Sequence, residues 1–157
     1  MAPIFFYDLD QHDLSKLQLD AAQVEASIPH RGDMRHIDGV VWMDDDLTGA
    51  IGVKHVREDE FWVPGHIPGR PIMPGVLMIE ASAQLASIVM KHRFPDIGFI
   101  GFSGVDEVKF RGQVVPGDDL YIMAREVKFK PRRFICETQG VVDGKLVFQA
   151  KVSGIPI

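Results

Sequence analysis

The sequence predicts an α+β fold in which a mostly antiparallel β-sheet wraps around one long central helix. Three observations lead there. Residues 75–92 are apolar on nearly every side, the mark of a buried helix rather than a surface one. Four strand-like segments follow it, at 97–110, 119–129, 133–142 and 145–153, divided by turn residues. A further hairpin precedes it, with strands at 39–43 and 48–57 joined through Asp44-Asp45-Asp46.

Taken in order, residues 1–28 read as an N-terminal arm and 29–157 as one domain. Within the arm, Asp13 or Ser15 is placed to cap a short helix. Asp20 is placed to cap a second one through Ala21-Ala22-Gln23-Val24-Glu25, which Pro29 stops. The three adjacent aspartates point in different directions and lack the spacing of a calcium loop, so a solvated turn is expected rather than a cation site. Gly65 to Gly75 holds three prolines and three glycines, which suits neither a helix nor a central strand. The helix is expected to begin at Pro74 or Gly75 and to end before Phe94-Pro95. Ala81, Ser82, Ala83, Ala86 and Ser87 keep it slim enough for other backbone to approach. Pro116-Gly117-Asp118 and Asp143-Gly144 supply turns, the second a tight hairpin.

Size and composition bound the function. A chain of 157 residues can bury a core without disulfide or metal support. The net charge of -5 argues against nonspecific nucleic-acid binding, which needs a basic surface. Cys136 is the only cysteine, so neither a disulfide framework nor a cysteine-based zinc site is expected. No window reaches the length of a membrane span, the first residues lack the basic region of a signal peptide, and a cytoplasmic location is the default.

Chemistry concentrates at the Pro/Gly loop. It carries His66, held on a rigid path, and the helix that follows carries Glu80; an imidazole and a carboxyl group make a candidate acid/base pair. Burial against aliphatic neighbours is expected to favour a protonated Glu80. Gln84 lies one turn after Glu80 and is placed either to orient its carboxylate or to hydrogen-bond at an interface. His30, His36, His55 and His92 read as surface or structural histidines without metal-ligand spacing. Arg70 fits either a role in fixing the loop or a contact with a phosphate.

These residues resemble the hotdog-fold 3-hydroxyacyl-[acyl-carrier-protein] dehydratases of bacterial type II fatty acid synthesis, most closely the FabZ branch. The resemblance rests on Gly65-His66-Ile67-Pro68-Gly69-Arg70-Pro71-Ile72-Met73-Pro74-Gly75-Val76-Leu77, on Ile79-Glu80-Ala81 and on Ala83-Gln84. Pro29-His30-Arg31 with Asp38, and Lys109-Phe110-Arg111 with Val115-Pro116-Gly117-Asp118, add to it. Glu80, where the isomerising branch carries aspartate, favours a plain dehydratase. The resemblance implies a hotdog fold and reversible loss of water from a 3-hydroxyacyl chain on the phosphopantetheine arm of acyl carrier protein, without a cofactor or metal. It implies catalysis by His66 and Glu80 drawn from two chains of a homodimer, with a trimer of dimers as a larger assembly known in the family. Gly75, at the helix start, is the candidate oxyanion donor. Phe99, Phe102 and Phe110 fit an acyl tunnel or ordinary core packing. Lys128, Lys130, Arg132 and Arg133 fit a solvated strand end or a docking patch for the acidic carrier.

The chain also departs from the family pattern. After the opening motif it reads Gly32-Asp33-Met34-Arg35-His36-Ile37, where the family carries Tyr-Pro, an aromatic and apolar residues. Ile67 replaces a phenylalanine, expected as a packing change. Gly101-Phe102 stands where an aromatic pair gates the tunnel, so a looser gate is expected. Two other readings remain open at this point: a hotdog thioesterase, and a non-catalytic protein that binds acyl chains or carrier.

Overall fold

The computed structural model describes residues 2–157. Six antiparallel strands form one sheet in the order β1-β2-β4-β5-β6-β3. They are β1 (Gly39–Met43), β2 (Gly49–His55), β3 (Ile100–Phe110), β4 (Asp119–Lys130), β5 (Arg133–Val142) and β6 (Lys145–Pro156). The long helix α2 (Gly75–Arg93) packs on one face of this sheet. The α+β hotdog expectation is met: one long helix, α2, packed against a sheet of antiparallel strands.

The apolar, small-residue character of α2 explains its position. Every residue from Ala81 to Ala86 is buried, and so are Ile88, Val89 and Met90. The hydroxyls of Ser82 and Ser87 donate to the carbonyls of Met78 and Ala83, so neither is left unpaired inside. Close approach is paid for on the sheet side as well: a Cβ at Gly52 would stand 3.0 Å from Leu85 Cδ1. Asp143 and Gly144 both have positive φ, as the predicted tight hairpin requires.

Two strand starts differ from the sequence reading. Ile97 is buried in the turn after α2 and its carbonyl accepts from Lys91 Nζ, so β3 begins only at Ile100. Thr48 and Gly49 donate their amides to the Asp44 carboxylate, which closes the acidic turn and delays β2.

The arm covers the other face of the sheet. Phe5, Phe6, Tyr7, Leu9 and Leu14 pack against Val41, Ile51, Val53, Met123 and Val141. Arg125 lies 3.9 Å over the Phe6 ring. Helix α1 (Ala21–Ser27) is capped by Asp20 with a reciprocal bond from Gln23, as expected. The first predicted cap is corrected. Asp13 accepts from the Ser15 amide in a local turn, and a single 3₁₀ turn forms earlier, over Leu9–Gln11, capped by Asp8. Among the described residues no helix is long and apolar enough to cross a membrane.

Candidate active site

His66 sits on a loop that is tied down along its length. Buried Lys54 on β2 forms a 2.9 Å ion pair with buried Glu60 at the loop start. The His66 amide donates to the Trp62 carbonyl, and the Met73 amide to Val114. The imidazole is fixed too. Its Nδ1 is 2.6 Å from the Ile72 carbonyl oxygen, which can only accept. Nδ1 therefore carries the proton, and Nε2 presents a free lone pair. Ile67 next to it has φ of +57°, a left-handed conformation rare for a β-branched residue. It is also 48% exposed in the single chain. Arg70 is exposed, and among the described residues its guanidinium has no carboxylate partner.

Glu80 points from α2 into a cavity of about 150 Å³ lined by His30, Gln84, Phe99 and Phe102 among others. Its surroundings correct the expectation of an aliphatic shell. Gln84 Nε2 donates to Glu80 Oε1 at 2.9 Å, and His30 Nε2 lies 3.3 Å from the same oxygen. The Gln84 amide has one allowed orientation, because its Oε1 accepts from the His36 backbone amide and its Nε2 donates to the Met34 carbonyl. Gln84 is thus held in place and hydrogen-bonded to the Glu80 carboxylate.

The polar opening segment therefore has a structural part to play: its backbone holds Gln84. His36 adds a liability. The side chain is fully buried, and neither ring nitrogen has a partner among the described residues. Burial, then the neighbouring Lys54 charge, push its pKa below the ordinary 6.5, against the pull of Glu80 and Glu60. Unfolded chain gains a proton here as pH falls through about 6.5, whereas the folded chain does not until lower pH, so stability drops across that interval. His36→Leu should raise the unfolding free energy by about 1–2 kcal/mol at pH 7, by removing buried unpartnered nitrogens. Thermal melts should show the gain widening between pH 7 and 5; a constant or negative gain would contradict this account.

Gly75 begins α2 behind Pro74, and no side chain caps that end. The backbone amides there face outward with the positive end of the helix dipole. The Phe110 ring leans on Gly75: a Cβ there would stand 2.6 Å from Phe110 Cε1. Phe110 thus belongs to the helix start, while Phe99 and Phe102 line the Glu80 cavity, Phe102 being 48% exposed. That cavity shares His30, Ser87, Phe99 and Ile100 with an open groove of about 490 Å³. Gly101 also lines the cavity, and the Ile157 side chain occupies the space a Cβ there would need.

His66 lines neither cavity, and among the described residues it makes no contact with a carboxylate. One chain brings Glu80, Gln84 and Phe102 together, and leaves His66 and Gly75 apart from them. Lys128, Lys130, Arg132 and Arg133 stand exposed around the β4–β5 turn, without a carboxylate partner among the described residues. Sequence reading missed His30. The signal it offered was the Pro29-His30-Arg31 motif, but its proximity to Glu80 depends on packing across fifty residues.

Comparison with known proteins agrees with this architecture. Residues 28–151 match the FabA-like domain family. The 3-hydroxyacyl-[acyl-carrier-protein] dehydratase FabZ of Streptococcus equi subsp. zooepidemicus is 39% identical over 129 residues, covering 82% of this chain and 91% of that one. FabZ of Streptococcus pyogenes serotype M5 is similar to the same extent. Among solved structures, the dehydratase heterocomplex ApeI:P of Xenorhabdus doucetiae superposes with a TM-score of 0.73 at 18% identity, over 85% of this chain and 90% of that one. A hypothetical thioesterase from Streptococcus pneumoniae, solved with coenzyme A, superposes at 0.59 and 10% identity, over 85% and 90% of the two chains; both likenesses concern the fold. The chain belongs to the FabA-like family, among its FabZ-like hotdog dehydratases.

Proposed function

We propose that this chain dehydrates 3-hydroxyacyl groups on acyl carrier protein to trans-2-enoyl thioesters, in the cytoplasm and as a homodimer. Each site takes His66 from one protomer and Glu80 from its partner. The observation that carries the shared site is the fixed His66 tautomer: an Nε2 base with no acid in reach among the described residues of its own chain. The edge strand β3 supports it, since Phe102, Val105 and Phe110 stand exposed along a strand paired on one side only. A second copy would cover that edge.

In the reaction, His66 Nε2 takes the C2 proton while Glu80 gives its proton to the departing C3 hydroxyl, which leaves as water. The electron pair from the C2–H bond becomes the new double bond. Negative charge that builds on the thioester oxygen meets the Gly75 amide and the helix dipole. The basic β4–β5 turn suits an acidic carrier.

The test is incubation with 3-hydroxybutyryl-acyl carrier protein, following enoyl absorbance and free thiol together. Enoyl product without thiol is expected; thiol release would make it a thioesterase, and neither product would leave a binding protein. Charge reversal at Lys128 and Arg132 should raise KM for the carrier-bound substrate and spare a small thioester analogue. Equal effects on both would remove the docking role.

A further inference from the structure

We infer that His30 is a positioning residue for the acid, a role that rests on the assignment of Glu80 above. His30 follows α1 directly and lines both the Glu80 cavity and the open groove beside it. Its Nε2 approaches Glu80 Oε1 at 3.3 Å, while Gln84 Nε2 donates to that same oxygen at 2.9 Å. Both approaches fall on Oε1, and neither falls on Oε2. An oxygen that accepts from the Gln84 amide and has an imidazole nitrogen 3.3 Å away is the poorer place for a proton, because its lone pairs are already engaged. The transferable proton therefore sits on Oε2, the oxygen that remains free to face the substrate hydroxyl. His30 Nδ1 is buried without a protein partner among the described residues, so the ring is held from the Glu80 side rather than from behind. Pro29 and the Arg31 guanidinium, which donates to the carbonyls of Ile28, His30 and Glu25, fix the backbone under it.

The geometry separates orientation from bulk. His30→Leu keeps the volume and loses the N–H, whereas His30→Gln places an amide N–H near the position of Nε2. The leucine variant should lose about 10- to 100-fold in kcat, the range of a hydrogen bond to a charged group, with KM changed by less than about 2-fold. The glutamine variant should recover most of that loss. Melting temperatures identify any loss due to unfolding. A loss that appears in KM rather than kcat, or a glutamine variant as damaged as the leucine one, overturns the positioning role. Glu80→Gln serves as the reference: if it retains full turnover, the assignment of Glu80 itself fails, and that result is distinct from the first two.

Discussion

Mixing two dead variants should recover about a quarter of the wild-type rate, a fraction set by dimer statistics. His66→Ala removes the base and Glu80→Gln the acid, and each alone should lower kcat by about 10³-fold, within the range of general acid–base catalysis. After subunit exchange of an equimolar mixture, half of the dimers carry one chain of each kind. In such a dimer one site draws intact His66 from the Glu80→Gln chain and intact Glu80 from the His66→Ala chain. The other site has lost both. Half of the dimers with half of their sites leaves a quarter. A site built within one chain would recover nothing, because every chain in the mixture lacks one partner. Turnover of carrier-bound 3-hydroxybutyrate, with exchange verified by tagged subunits, decides between these outcomes.

Gly75→Pro should fall about 10²-fold in kcat below Gly75→Ala, the cost of one oxyanion donor. The comparison works because both variants carry a Cβ, while only the proline closes its ring onto the nitrogen and so removes the amide N–H. Both add a Cβ against the exposed Phe110 ring, which must shift. Proline is favoured at the first helical position, where its missing N–H interrupts no helix bond. Pro74 already has φ −57° and ψ 128°, the extended conformation that a following proline requires. The helix should therefore survive in both, with melting temperatures close together. Equal kcat values would remove the Gly75 amide from the mechanism.

Much of this architecture was legible because local rules and tertiary packing agree. The 133–142 strand and the Asp143-Gly144 hairpin follow from alternation and turn chemistry. The start of α2 follows from the Pro/Gly loop, and its burial from an apolar residue on every side. The His66–Glu80 candidates were legible from a motif, and the family resemblance already implied that the two are drawn from different chains. Gln84 was found from i,i+4 spacing. His30 and His36 were set aside as ordinary histidines, because nothing local marks a side chain that packs against a helix fifty residues on. The polar run Gly32 to Ile37 was the one visible clue, and it proved to supply the backbone partners of Gln84. The first arm helix failed because the Asp13 carboxylate closes a turn with Ser15 instead of starting a helix.

The tethered loop also bears on how reactants come and go. Glu60 is pinned to Lys54, His66 to Trp62 and Ile72, and Met73 to Val114, so this segment is poorly suited to lifting as a flap. Traffic is then expected to fall to side chains beside the Glu80 cavity such as the half-exposed Phe99 ring, since exposed rotamers turn over in picoseconds to nanoseconds. A doorway made of swinging side chains opens far faster than millisecond turnover, which leaves bond-breaking or carrier departure to set the pace.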